Sequence, residues 1–295
     1  MLQIEHLKKS FGDRAVLQDV SFTVPEHSIF GFIGQNGAGK TTTMKLILGL
    51  LAADGGSITI DSIPVRFGQT QPCIGYLPDV PEFYNFMTPA EYLRFCGEIS
   101  GMEAGAIRRR TGELLELVGL AEEKRRIKGF SRGMKQRLGI AQALLHRPRL
   151  LICDEPTSAL DPIGRKEILD VLIAAKEETT ILFSTHILSD VERICDEIAC
   201  LHKGIISFQG RLADMREHRP SGSFAVETES GDAAQQLLRQ FPSATALEAT
   251  RVLFDGRAPE QHEVLAYLGS RKLPVLKVER LEPTLEALFL EVVQK

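Results

Sequence analysis

The stretch "IFGFIGQNGAGKTTTMKLILGL", residues 29–50, joins an apolar run to a glycine-studded turn and then to an amphipathic helical pattern. Within it Gly34, Gln35, Asn36, Gly37, Ala38, Gly39, Lys40 and Thr41 fit G-x-x-x-x-G-K-S/T at every fixed position. The glycines let backbone N–H groups converge on phosphate oxygens, and the helix that follows points its positive dipole end at them. Lys40 is thereby expected to reach the β- and γ-phosphates, Thr41 to offer its hydroxyl to Mg²⁺, and Thr42 to sit in the same cradle. Such a loop works only between a buried strand and a helix, which commits the chain to an α/β fold.

A chain of 295 residues can bury a full core and has room for more than one domain. A net charge of −4 speaks against a nucleic-acid binder, which usually presents a basic face. The basic triplets Arg108–Arg110 and Lys124–Arg126 read as solvated helix faces. Five cysteines, odd in number and without paired metal spacing, fit a reducing compartment. The N-terminus "MLQIEHLKKSFGD" carries charges where a signal peptide has an apolar core, and no run approaches the roughly 18 apolar residues of a membrane span. The expectation is a soluble protein that serves a membrane, if at all, through a partner.

Two further stretches complete the chemistry. "LLICDEP", residues 150–156, is a buried strand that delivers Asp154 at its C-terminal end, where open α/β sheets bind ligands. Asp154 is suited to Mg²⁺, and Glu155 beside it to polarising an attacking water as general base. "GFSRGMKQRLGIAQALLHRP", residues 129–148, reads as a helix capped by Ser131, with Met134, Leu138, Ala141 and Leu145 as its apolar stripe. This supplies a second helix N-terminus rich in Ser and Gly, just upstream of the acidic strand.

With these residues in place, residues 1 to about 215 resemble ATP-binding cassette (ABC) ATPases, the motor subunits of ABC transporters. "FSRGMKQR" is similar to the signature of that family, and the resemblance implies that Ser131 and Gly133 meet the γ-phosphate bound by a second cassette. Two cassettes would then sandwich two ATP molecules. "SALD", residues 158–161, resembles the loop that crosses such an interface, with Asp161 as its acid. His186 in "FSTHILSD" falls at the position of the switch histidine, Phe11 at that of the aromatic stacked on adenine, and Val16 beside the ribose. The implied catalytic set is Lys40, Glu155 and His186; the implied metal set is Thr41, Asp154 and Asp79.

Asp79, in "IGYLPDVPEF", stands where the family has a glutamine, and Arg132 and Met134 replace the usual Gly and Gln of the signature. "YLPD", "FSRGMKQR" and the final "EPTLEALFLE" resemble the bacterial branch that drives exporters of drugs and antibiotics, whose permease is a separate polypeptide. The implied location is cytoplasmic, on the inner face of the cell membrane through that permease. The loop "VPEFYNFMT" concentrates Phe83, Tyr84, Phe86 and Met87, and is expected either to cap the helical subdomain or to receive the permease. A soluble ABC ATPase of translation or DNA repair is the alternative, though neither a second cassette nor a coiled-coil insertion is visible.

The expected fold is therefore an α/β P-loop cassette over residues 1–217, with a mixed sheet core, an antiparallel β subdomain and a helical subdomain. "REHRPSGS" reads as a linker. Residues 220–295 read as β-α-β-β-α-β plus a closing helix with Leu285, Leu288, Phe289 and Val292, a ferredoxin-like accessory domain without a titratable cluster.

Overall fold

The computed structural model describes residues 1–69, 71–217, 223–254, 259–280 and Leu285. They fall into two compact units, one of Met1–Leu212 and one beginning at Ala213. Residues 218–222 of the linker read at 216–223, and the closing helix apart from Leu285, lie outside the described residues; Leu285 is helical and buried.

Alternation at period two makes the first hairpin. In β1 (Leu2–Phe11) and β2 (Arg14–Val24), Leu2, Ile4, Leu7, Leu17, Val20, Phe22 and Val24 turn inward while charged residues face out. A continuous apolar run, by contrast, makes β3 (Ile29–Ile33), buried along its whole length, as a strand covered on both faces must be. α1 (Lys40–Ile47) follows the glycine loop and packs Met44 and Ile47 into the same core, where Phe22 stacks on Phe30 and Phe32 at 5.6 and 5.0 Å.

β4 (Gly55–Ile60) and β5 (Ile63–Pro64) extend the antiparallel edge, and β6 (Ile74–Leu77) returns to the core sheet. A helical segment comes next. α2 (Pro89–Ile99) opens on a Thr88–Glu91 capping box, α3 (Ala104–Leu117) follows, and after a 3₁₀ turn at Ile127–Gly129 comes α4 (Arg132–Ala143), capped by Ser131. β7 (Leu150–Asp154), α5 (Pro162–Ala175), β8 (Thr180–Thr185), α6 (Leu188–Ile194), β9 (Glu197–His202) and β10 (Ile205–Arg211) close the unit, and α7 (Leu212–Glu217) begins at its last residue and runs into the second. The resulting ten-stranded sheet runs β5-β4-β1-β2-β10-β9-β3-β8-β7-β6. Strands β9, β3, β8, β7 and β6 are parallel neighbours, so their C-terminal ends share one edge.

Arg110 belongs to a basic triplet read as a solvated face, yet it is only 5% exposed. Its guanidinium donates to Glu178 at 2.7 Å, to Glu113 at 3.1 Å and to the Leu144 carbonyl at 3.2 Å, which ties α3 to the end of α4. Arg108 and Arg109 remain exposed. The stem of a long basic side chain can be buried wherever its head finds acceptors.

The second unit contains β11 (Phe224–Thr228), α8 (Gly231–Gln240), β12 (Thr245–Ala246), β13 (Arg251–Phe254), α9 (Gln261–Arg271) and β14 (Val275–Arg280). Its antiparallel sheet has the order β12-β13-β11-β14, and Phe224 and Phe254 stack at 4.7 Å in a core with Val226, Leu237, Val252 and Val264.

Candidate functional site

The strand register assembles the site. Asp154, the last residue of β7, pairs with Ser184 of β8, and Ile33, the last of β3, pairs with Thr185. The glycine loop after β3, the acids after β7 and His186 after β8 therefore meet at one edge of the sheet. Gly39 has φ +113 and Gly37 φ +79, conformations that a side chain would strain, and a Cβ on Gly39 would come within 2.8 Å of Leu17. α1 has neither a side-chain cap nor an acidic residue in its first turn. Its leading N–H groups remain available to an anion.

Lys40 is 5% exposed, and its ammonium donates to the Gly34 carbonyl at 2.8 Å and lies 3.1 Å from Glu155 Oε1. The other oxygen of Glu155 lies 2.8 Å from His186 Nδ1. Glu155 is a non-glycine residue at φ +50, and its N–H donates to the Ser184 carbonyl and hydroxyl at 3.1 and 3.2 Å. Left-handed backbone of this kind costs about 1–2 kcal/mol and persists only where neighbours hold it, as Ser184 does here. Asp154 accepts from the Thr41 hydroxyl at 2.8 Å and from the Ser184 hydroxyl at 2.6 Å. A hydroxyl and a carboxylate brought together in this way are hard oxygen donors of the type Mg²⁺ takes. A carboxylate fixed at both oxygens, beside a phosphate cradle, can accept a proton from a water.

Gly39, Lys40, Thr41, Glu155 and His186 line a cleft of about 580 Å³ together with Phe11, Arg14, Val16, Asn36, Gly37, Thr42, Asp79 and Ser158, while Asp154 and Ser184 are buried beneath Thr41 and Glu155, which they hold by hydrogen bonds. Phe11 is 50% exposed, and the Lys9 ammonium lies 5.4 Å from its ring centroid while pairing with Asp54 at 2.7 Å. An aromatic ring with one face towards open space can stack a planar base.

Ser131, Gly133 and Asp161 are not part of this cleft. Ser131 caps α4 by accepting from the Met134 N–H, and Asp161 caps α5 by accepting from the Gly164 N–H at 2.7 Å. The Asp79 carboxylate faces the cleft but accepts from Arg132 at 3.1 Å. Sequence reasoning assigned no individual role to Arg14, Ser158 or Ser184, although Ser158 opens the loop read at 158–161. The first two sit beside residues it used, and Ser184 is placed by register alone.

A glycine loop leading into a helix, with two acids at the end of the strand one beyond its neighbour, defines a P-loop nucleotide-binding cassette. The comparisons agree. The profile of the family described as ABC transporter matches residues 17–158. YxlF of Bacillus subtilis, an ABC transporter ATP-binding protein, is 38% identical over 99% of both chains. The linearmycin resistance ATP-binding protein LnrL of Bacillus subtilis is 33% identical over 99% of this chain and 98% of its own. The bacitracin transport ATP-binding protein BcrA of Bacillus licheniformis is 40% identical over 69% of this chain and 67% of its own. A solved ATP-binding subunit of an ABC transporter superposes with a TM-score of 0.64 at 30% identity, covering 91% of this chain and 99% of its own. The chain belongs to the ABC transporter family, as an ATP-binding subunit whose ATPase reaction is coupled to transport.

Proposed function

We propose that this chain is the motor of a bacterial drug or antibiotic exporter, working as a pair of cassettes on a separate membrane permease. The observation that carries the hydrolytic part is Glu155, fixed between Lys40 at 3.1 Å and His186 at 2.8 Å in a cleft with the phosphate cradle. Glu155 orients the attacking water and takes its proton, Lys40 and the α1 N-terminus bind the β- and γ-phosphates, and His186 contacts the γ-phosphate. Phe11 and Val16 receive adenine and ribose. Thr41 and Asp154 hold Mg²⁺, which when bound offsets phosphate charge and fixes phosphate geometry. Ser131, Gly133 and Asp161 serve the nucleotide of the second cassette.

The exporter branch is supported by the end-to-end similarity to a linearmycin resistance protein and the similarity to a bacitracin transport protein. None of the relatives named above carries the name of a translation or repair ATPase. Among the described residues no helix is long and apolar enough to cross a membrane, in keeping with a cytoplasmic subunit held at the inner face by its permease. Residues 220–295 form a ferredoxin-like accessory domain with a packing or dimer-contact role. The order β11-α8-β12-β13-α9-β14, with the sheet order β12-β13-β11-β14, supports that reading.

Co-expression with a polytopic candidate permease, sought in the neighbouring reading frames, tests the function. Co-purification of the two, with ATP-dependent movement of an antibiotic or dye in vesicles, is the expected result. A chain that hydrolyses ATP yet neither binds nor energises that protein contradicts the transport assignment.

A further inference from the structure

Asp79 borders two spaces at once. Its side chain lines the nucleotide cleft with Lys40, Glu155 and His186, and it also borders a groove of about 220 Å³ with Val80, Pro81, Phe130, Arg132 and Lys135. Three contacts tie its segment to α4, and they differ in kind. The Asp79 carbonyl accepts from Gln136 Nε2 at 2.6 Å, and Gln136 is fully buried. One turn on, Gly139 lets the segment press close: a Cβ there would come within 2.5 Å of Leu77 and 3.3 Å of Pro81. These two contacts are fixed. The third is the carboxylate of Asp79 against the guanidinium of Arg132, the first residue of α4, with side chains 47% and 42% exposed. A half-exposed pair is weak and separable, unlike the buried pair of contacts beside it.

The charges around Asp79 give that separation a trigger. Glu155 lines the same cleft, and burial, followed by the like charge of Glu155 and the buried Asp154, pushes the Asp79 carboxyl above the ordinary carboxylate range while Arg132 opposes the shift. Nucleotide phosphates add negative charge, which favours keeping Asp79 covered. A divalent cation arriving with them competes with Arg132 for the same oxygens, which are ligands of the kind it takes.

We propose that Arg132 is a positioning residue that masks the Asp79 carboxylate, and that cation-loaded nucleotide, but not nucleotide alone, separates the pair. This rests on reading the cleft as a site for ATP with Mg²⁺. The consequence is directional. Once released, Arg132 stands at the N-terminus of α4 beside Ser131 and Gly133, the residues assigned to the other cassette's nucleotide. Occupancy of one cleft thereby changes the charge presented to the second, while Gln136 and Gly139 keep the segment attached.

The test is ATP affinity of the full-length chain in EDTA and in excess Mg²⁺, with every protein carrying Glu155→Gln so that ATP persists. Arg132→Gln uncovers a carboxylate, so it should weaken binding in EDTA by about two- to fivefold, as befits a half-exposed pair, and leave binding in Mg²⁺ equal or tighter. Arg132→Lys should restore the EDTA affinity. Asp79→Asn should narrow the gap between the two buffers, and Asp79→Asn with Arg132→Gln should behave as Asp79→Asn alone. Equal shifts in both buffers, no shift, or additive effects in the double variant overturn the latch. If Arg132→Gln does not fold, the Asp79→Asn comparison decides alone. Absence of ATP binding by the Glu155→Gln chain in either buffer overturns the reading of the cleft and the latch with it; binding with an unchanged buffer dependence overturns the latch only.

Discussion

Lys40 and Glu155 meet at 3.1 Å beside the glycine loop, so the cation proposed to bind phosphate and the carboxylate proposed to activate water hold each other. Both are largely buried, with side chains 6% and 13% exposed. Neither charge could be left alone there without a large desolvation cost. Under the roles proposed for them, nucleotide binding exchanges one partner of Lys40 for another and leaves Glu155 to His186 and to the attacking water.

That exchange makes Lys40→Ala more than the loss of a phosphate ligand. It removes a charge-assisted contact worth about 1.5–3 kcal/mol, equivalent to about 10–150-fold in affinity. Titration with a fluorescent ATP analogue should show that weakening, with Lys40→Arg only partly restoring it because the cradle at Gly34 is fitted to an ammonium. Unchanged affinity in Lys40→Ala would place the phosphates elsewhere.

Assembly supplies a second expectation. With Glu155→Gln and ATP the chain should run as a dimer, and with ADP mostly as a monomer, by light scattering after gel filtration. Adding Ser131→Arg should abolish the ATP-dependent dimer, because bulk and positive charge would face the other cassette's loop. A dimer that persists without nucleotide points to residues 220–295 as a separate contact.

The aromatic loop divides under inspection. Phe83 packs edge-on against Tyr92 at 5.1 Å and is half-buried, whereas Tyr84 and Phe86 are 51% and 64% exposed. The docking expectation therefore narrows to the outward pair. Tyr84→Ser with Phe86→Ser should keep fold and basal ATP hydrolysis while permease binding and transport fall together. Normal transport by that variant would move the docking surface away from this loop.

Arg110 sets a pH-dependent stability. Its hydrogen bond holds the Glu178 carboxyl below the ordinary carboxylate range. A depressed carboxyl pKa contributes stability that is full above the unfolded value and is lost as pH falls through the folded one. Arg110→Met should thus lower stability by about 1–2 kcal/mol at pH 7, judged from the acceptors left without a donor. The difference from wild type should shrink below about pH 4, as the unfolded carboxyl titrates. Urea unfolding at pH 7 and at pH 3.5 measures both. An equal difference at both pH values would assign the loss to packing.

What the sequence makes legible is what it keeps contiguous. The phosphate loop is eight successive residues, and Asp154 and Glu155 share one strand end, so their chemistry can be read without coordinates. Ser184 holds both Asp154 and the Glu155 backbone, but only the β7–β8 register shows it. Asp79 and Arg132 each look like an isolated departure from the family pattern, yet they contact one another across 53 positions. Arg110 reads as one member of a charged run because its acceptors, Glu178 and the Leu144 carbonyl, come from distant turns. The β9–β10 hairpin had no turn signal beyond Lys203-Gly204, where both residues take positive φ.

The most direct measurement is single-turnover and steady-state ATP hydrolysis by the purified chain and by Glu155→Gln, with bound nucleotide assayed in the same samples. Glu155 is the proposed base and not a nucleotide-binding group, so Glu155→Gln should keep ATP bound in the presence of Mg²⁺ and lose turnover by about 10²-fold or more. Near wild-type turnover in Glu155→Gln, or loss of nucleotide binding together with turnover, would contradict the role assigned to the carboxylate held between Lys40 and His186.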